Sequence, residues 1–168
     1  MSQVTRRHVL ATGALALAAA VAGGGGFGLG TRLARAGAPA HINADAGGLA
    51  LYGYDPVAYF TDGSPLPGDT GITATHDGAT YRFVTTANRD AFMSDPAKYL
   101  PVYGGYCAYG LSQGYKVKVD PTVWKIVDGK LYLNYDAGVG VTWAKDIPGY
   151  IAKANELWPG LRDKPRSD

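Results

Sequence analysis

Val123-Trp124-Lys125-Ile126-Val127-Asp128-Gly129-Lys130-Leu131-Tyr132-Leu133-Asn134-Tyr135 carries two strand-like runs around a tight turn. β-branched and aromatic residues fill the first arm, leucines and tyrosines the second, and Asp-Gly tolerates the positive φ angles that a two-residue hairpin needs. In the return arm Leu131 and Leu133 alternate with Tyr132 and Asn134, the period of a strand in a sheet with unequal faces. A second hairpin lies upstream, where Ile72 to His76 and Ala79 to Val84 flank Asp77-Gly78.

Helices are expected around these hairpins. Thr86 is placed to cap a helix running through Phe92. Asp95-Pro96 opens a short one, with Asp as cap and Pro at the first helical position. Gly138 to Lys145 and Pro148 to Trp158 are the last two. In the final helix Ile151, Ala154, Leu157 and Trp158 fall on one face, spaced to cover a sheet. Leu49 to Tyr54 reads as a first strand, and Thr61 to Gly71, rich in Gly, Pro and Asp, as a loop. No internal repeat is read after residue 40. Hairpins and helices without a βαβ rhythm predict an α+β fold, a small antiparallel sheet built from two hairpins and covered by short helices. The domain is expected over residues 49–160, after a flexible lead-in at 37–48 and before a tail at 161–168.

The first 36 residues differ from the rest. They hold Arg6, Arg7, Arg32 and Arg35 and no acid. Thr5-Arg6-Arg7-His8-Val9-Leu10 is followed by a charge-free stretch, Val9 to Gly30, rich in Ala and Gly. Small-x-small patterns follow at Ala34-Arg35-Ala36 and Ala38-Pro39-Ala40. This is the pattern of a twin-arginine export signal, with the translocation machinery as its partner and the periplasm as its destination. Cleavage is expected after Ala36. Cleavage after Ala40 would instead make His41 the N-terminal residue, whose amine and imidazole can chelate copper together. Left uncleaved, the segment would act as a membrane anchor, although Gly23 to Gly26 make a poor spanning helix.

Without those four arginines the chain keeps 12 of its 16 Lys and Arg and all 14 Asp and Glu, so its formal charge moves from +2 to −2. No run of Lys or Arg remains, which argues against nucleic acid as a partner. The single cysteine, Cys107, excludes an intrachain disulfide.

Several separate motifs resemble the YHS domain family, in particular its exported bacterial members. They are Gly53-Tyr54-Asp55-Pro56-Val57, Tyr81-Arg82-Phe83, Ala91-Phe92, and Asp95-Pro96 with Lys98-Tyr99. Tyr103-Gly104-Gly105-Tyr106-Cys107-Ala108 follows, then Asp120-Pro121, Trp124, Ile126 to Asn134, Trp143 and Trp158-Pro159. The resemblance spans roughly residues 48–160 and implies metal handling, copper or another transition-metal ion, by cysteines. Where those cysteines stand in better-known YHS domains this chain has Ala58, Val84 and Asn88, none a soft-metal ligand. The Tyr-His-Ser string itself does not occur.

The remaining metal candidates are Cys107, His76 and Met93. Free Cys ordinarily behaves as a small buried hydrophobe. Its place among glycines and tyrosines, where the chain must bend, predicts a site-lining thiol instead, so that Cys107→Ser should cost function more than folding. His76, beside a turn, is expected at the surface. The aspartates of the three Asp-Pro pairs, Asp55, Asp95 and Asp120, read as caps and turns, with Asp55 the best ligand candidate because Tyr52, Tyr54 and Tyr59 surround it. All 12 tyrosines lie after residue 50. Tyr59, Tyr103, Tyr106 and Tyr109 are candidates for a binding surface, or for a cage around a cationic ligand. No carboxylate pair, phosphate loop, zinc spacing or Ser-His-Asp signature appears. Three functions stand open: an exported metal-binding module, a cofactor-free interaction domain with a Tyr/Gly-rich contact surface and a periplasmic protein partner, and a small enzyme using Cys107 or Asp55.

Overall fold

A computed structural model describes residues 37–168. The fold is α+β. Two hairpins form, each a separate two-stranded antiparallel sheet rather than parts of one. The first pairs β1 (Asp69–His76) with β2 (Ala79–Phe83), and the second pairs β3 (Asp120–Val127) with β4 (Lys130–Asn134). Among the described residues six α-helices accompany them: α1 (Ala58–Thr61), α2 (Thr86–Ser94), α3 (Pro96–Tyr99), α4 (Ala108–Ser112), α5 (Ala137–Trp143) and α6 (Ile147–Leu161). Leu49 to Tyr54 is not a strand, since Leu51–Gly53 makes a 3-10 turn. The cap of α2 is Thr85, not Thr86: its hydroxyl accepts the Asn88 N–H. Asp95 caps α3 by accepting the Lys98 N–H. Among the described residues no helix is long and apolar enough to cross a membrane.

The chain repeats itself, contrary to the reading of the sequence. Strands β1 and β3, β2 and β4, and the starts of α2 and α5 and of α3 and α6, are each 51 residues apart. Both hairpins turn at Asp-Gly, with Asp77 and Asp128 in the left-handed region. Both first strands carry a register irregularity near their start, after Asp69 and after Asp120. Tyr52 and Tyr103, also 51 apart, both take positive φ inside a 3-10 turn. The sequence signal is thin because the equivalent side chains differ in kind: Phe92 answers to Trp143, Phe83 to Asn134 and Asn88 to Val139.

Strand β4 has no exposed face, so the expected inequality of its faces is not found. Leu131 and Leu133 join one core with Phe83, Phe92, Tyr81 and Cys107. Tyr132 joins a second with Trp143, Tyr103, Tyr106 and Leu111. The final helix packs into that second core through Ala154, Ile151 and Trp158, beside α4.

Residues 37–48 are not a loose lead-in. Ile42 and Asn43 are buried. The Asn43 N–H donates to Gly104 O at 2.9 Å and its amide nitrogen to Gly105 O at 2.9 Å. Gly104 permits this approach: a Cβ there would fall 1.8 Å from His41 O. The strap is also held by Lys116, a buried lysine that nothing in the sequence marks out. Its ammonium donates to three carbonyls, those of Ala40, Arg162 at 2.6 Å and Lys164 at 2.7 Å. The last two lie just beyond the C-terminal end of α6, where the helix dipole favours a cation. The rings of Tyr106 and Trp158 cover the same ammonium. Lys116 thereby ties both ends of the domain together.

Candidate functional site

Asp55 is fully buried, and its carboxylate is used up. One oxygen accepts the N–H groups of Val57 (2.8 Å) and Ala58 (3.4 Å), which starts α1. The other accepts the Val84 N–H (2.8 Å) and the Asn88 amide (2.7 Å), which fastens α1 to the end of β2 and to α2. No lone pair is left for a ligand. Tyr59 beside it is also buried and donates to Pro121 O at 2.9 Å. Burial pushes its phenol far above the ordinary value. Both residues build the core.

Tyr103 and Tyr106 are likewise core residues, not a contact surface. Tyr103 donates to Asn155 Oδ1 (2.8 Å) and Ile151 O (3.3 Å), anchoring α6. Tyr106 donates to Ala40 O (2.9 Å) and Ile42 O (3.2 Å), anchoring the strap. Burial raises both phenols. Of that cluster only Tyr109 is half-exposed, with its ring edge-to-face with Tyr150 at 5.0 Å.

Cys107 is 1 % exposed, which corrects the expectation that it stands outside the core. Its sulfur accepts the Gly110 N–H at 3.3 Å and so caps α4. Its S–H faces Asn134 Oδ1 at 3.7 Å. Burial pushes the thiol up, only partly offset by backbone groups of Gly110, Tyr135 and Tyr109. A raised thiol holds little thiolate, the form that attacks or ligates. His76 is half-buried rather than exposed, with its ring edge-on to Phe92 at 5.8 Å. It lines a 220 Å³ cavity with His41, Asp77 and Arg162. Met93 is exposed on α2. The three proposed metal donors thus stand in three different places. Among the described residues no group of three or more His, Cys, Asp or Glu side chains is arranged to hold a metal ion. The His41 ring is occupied by Asp77 at 2.6 Å.

Cys107 nevertheless borders an open groove of about 440 Å³ between α4 and the start of α5. Tyr109, Val117 and Val139 form its walls, together with Tyr115 and Tyr135. These last two are the most exposed tyrosines in the domain, at 60 % and 39 %. Neither was singled out from the sequence. In the first half Asn88 and Val84 close over Asp55; in the second, Val139 and Tyr135 take those places and bear on this groove. Comparison with protein-family models, curated proteins and solved structures finds no match to this chain.

Proposed function

We propose that the chain is an exported, cofactor-free interaction domain of the YHS type, which docks an apolar or aromatic side chain of a protein partner in the groove above Cys107. One observation carries this reading: the two most exposed tyrosines, Tyr115 and Tyr135, line the same groove. Tyrosine gives large contact area at low entropic cost and is enriched where proteins meet. The thiol below them is buried and raised, so it serves as a soft apolar wall. Export rests on the Arg6-Arg7 pattern, which lies outside the described residues.

A photo-crosslinking amino acid placed at Tyr115 tests the docking reading in the periplasm of the native host. A discrete adduct is expected, lost when Tyr135→Ala is added and absent with the crosslinker at Val84, an exposed site on the other half. Equal adducts from both positions, or adducts indifferent to Tyr135→Ala, would count against it. Replacing Arg6 and Arg7 by Lys tests export: the precursor should stay in the cytoplasm, and a normal periplasmic yield would refute the twin-arginine reading.

A further inference from the structure

A second groove, of about 370 Å³, lies on the other side of Asn134, between β3 and α5. Its walls are Trp124 and Val141, Trp143 lines it, and Lys125 stands among its lining residues. Helix α5 closes tightly on β3 at Gly140, where a Cβ would come within 2.8 Å of Val123 Cγ1.

Two buried side chains in this lining each keep an unspent donor. Trp143 is 2 % exposed, and its indole N–H has no acceptor among the described residues. Such a group is costly unless something completes it. Asn134 is also 2 % exposed. Its Oδ1 accepts the Tyr109 N–H at 3.1 Å and faces the Cys107 S–H. That bond fixes which end of the amide is oxygen, and the nitrogen end has no partner among the described residues. Lys125 is the only charged side chain in the lining, and it is a cation. The carboxylates at the ends of β3 and α5 are spent on groups beside the groove: Asp120 accepts from the Thr122 N–H and hydroxyl, and Asp136 caps α5 at the Val139 N–H.

A groove with indole and aliphatic walls, two unspent N–H donors, a lysine and no acid selects for an acceptor. We propose that it binds a small aromatic carboxylate. The flat body of the ligand lies along Trp124 and Val141, and its carboxylate accepts from Asn134 Nδ2 and Trp143 Nε1 with Lys125 beside it. The volume suits a single small molecule, and hydrogen bonds to a charged acceptor are the strong kind. This site is independent of the partner groove above Cys107, and neither reading needs the other.

NMR titration of the mature protein tests it, using phenylacetate as the probe and phenethylamine as a cation of like shape. Phenylacetate is expected to move the Trp143 indole N–H and the Asn134 side-chain amide resonances saturably, while phenethylamine leaves them still. Lys125→Gln should weaken phenylacetate at least about fivefold, and Val141→Glu, a like charge at an exposed rim position, should weaken it further. Both positions are surface-exposed enough to leave the fold intact, and the spectrum of each variant checks that. If the two resonances do not move at millimolar phenylacetate, or if the amine moves them equally, the proposal is overturned. It is overturned as well if both variants bind as tightly as the parent.

Discussion

Asp55 and Cys107 hold equivalent places in the two halves of the domain. Each accepts the backbone N–H three residues on, Ala58 at 3.4 Å and Gly110 at 3.3 Å, at the start of a short helix. They stand 52 rather than 51 residues apart because Tyr103-Gly104-Gly105-Tyr106 has one glycine more than Tyr52-Gly53-Tyr54. One is a carboxylate closed in by Asn88, the other a thiol beside an open groove.

The two caps should respond differently to mutation. Asp55→Ala leaves the N–H groups of Val57 and Val84 and the Asn88 amide unpaired in the interior. A loss of about 3–4 kcal/mol is expected. Cys107→Ser keeps an acceptor for Gly110 and a donor for Asn134, so about 1 kcal/mol or less is expected. Urea unfolding of both variants checks the order. Equal losses would contradict the difference in bonding between the two caps.

Lys116→Met should be among the more damaging single changes. It keeps the apolar stem but strands the Ala40, Arg162 and Lys164 carbonyls, a cost of about 2–3 kcal/mol. The loss should appear first as proteolysis within residues 37–41 and 162–168, the two segments that this ammonium joins. A variant as stable and as protease-resistant as the parent would show that the tie is idle.

The mature N-terminus should be Gly37. Cutting after Ala40 would remove the carbonyl that Lys116 and Tyr106 both bond. The mass of the periplasmic protein decides this, and a chain starting at His41 would contradict it.

Acid sensitivity should trace in part to Asp77. Its hydrogen bond from His41 holds the carboxyl below its ordinary range. A carboxyl lowered in the folded state adds stability that is complete above its unfolded pKa and is lost as pH falls through the lowered folded value. The effect should be small, because Asp77 is largely exposed. Urea midpoints measured from about pH 6 down to about pH 2 should fall less steeply in Asp77→Asn. An unchanged slope would exclude the pair.

How much of this was legible in the residues varied with the range of the interaction. Both hairpins and the Asp95 cap are local, so Asp-Gly and Asp-Pro announced them. Tyrosine carries no such mark. Tyr103 and Tyr106 are buried and distant groups, Asn155 and Ala40, accept their hydroxyls, whereas Tyr115 in the same stretch meets no acceptor among the described residues and is 60 % exposed. Lys116 reads as a surface charge until the segment after α6 brings the Arg162 and Lys164 carbonyls to it. The repeat hid for a related reason: the two halves share backbone geometry but fill it with different side chains.

Cys107 caps α4 from within the core, beside an open groove, and its raised thiol holds little thiolate to ligate or attack. The rate at which a thiol reagent labels it in the native protein tests this most directly. Labelling should require opening of the fold and run at least about 100-fold slower than in unfolding urea. A native rate close to that of the unfolded chain, or protection that is lost on treating the periplasmic protein with a copper chelator, would contradict the account.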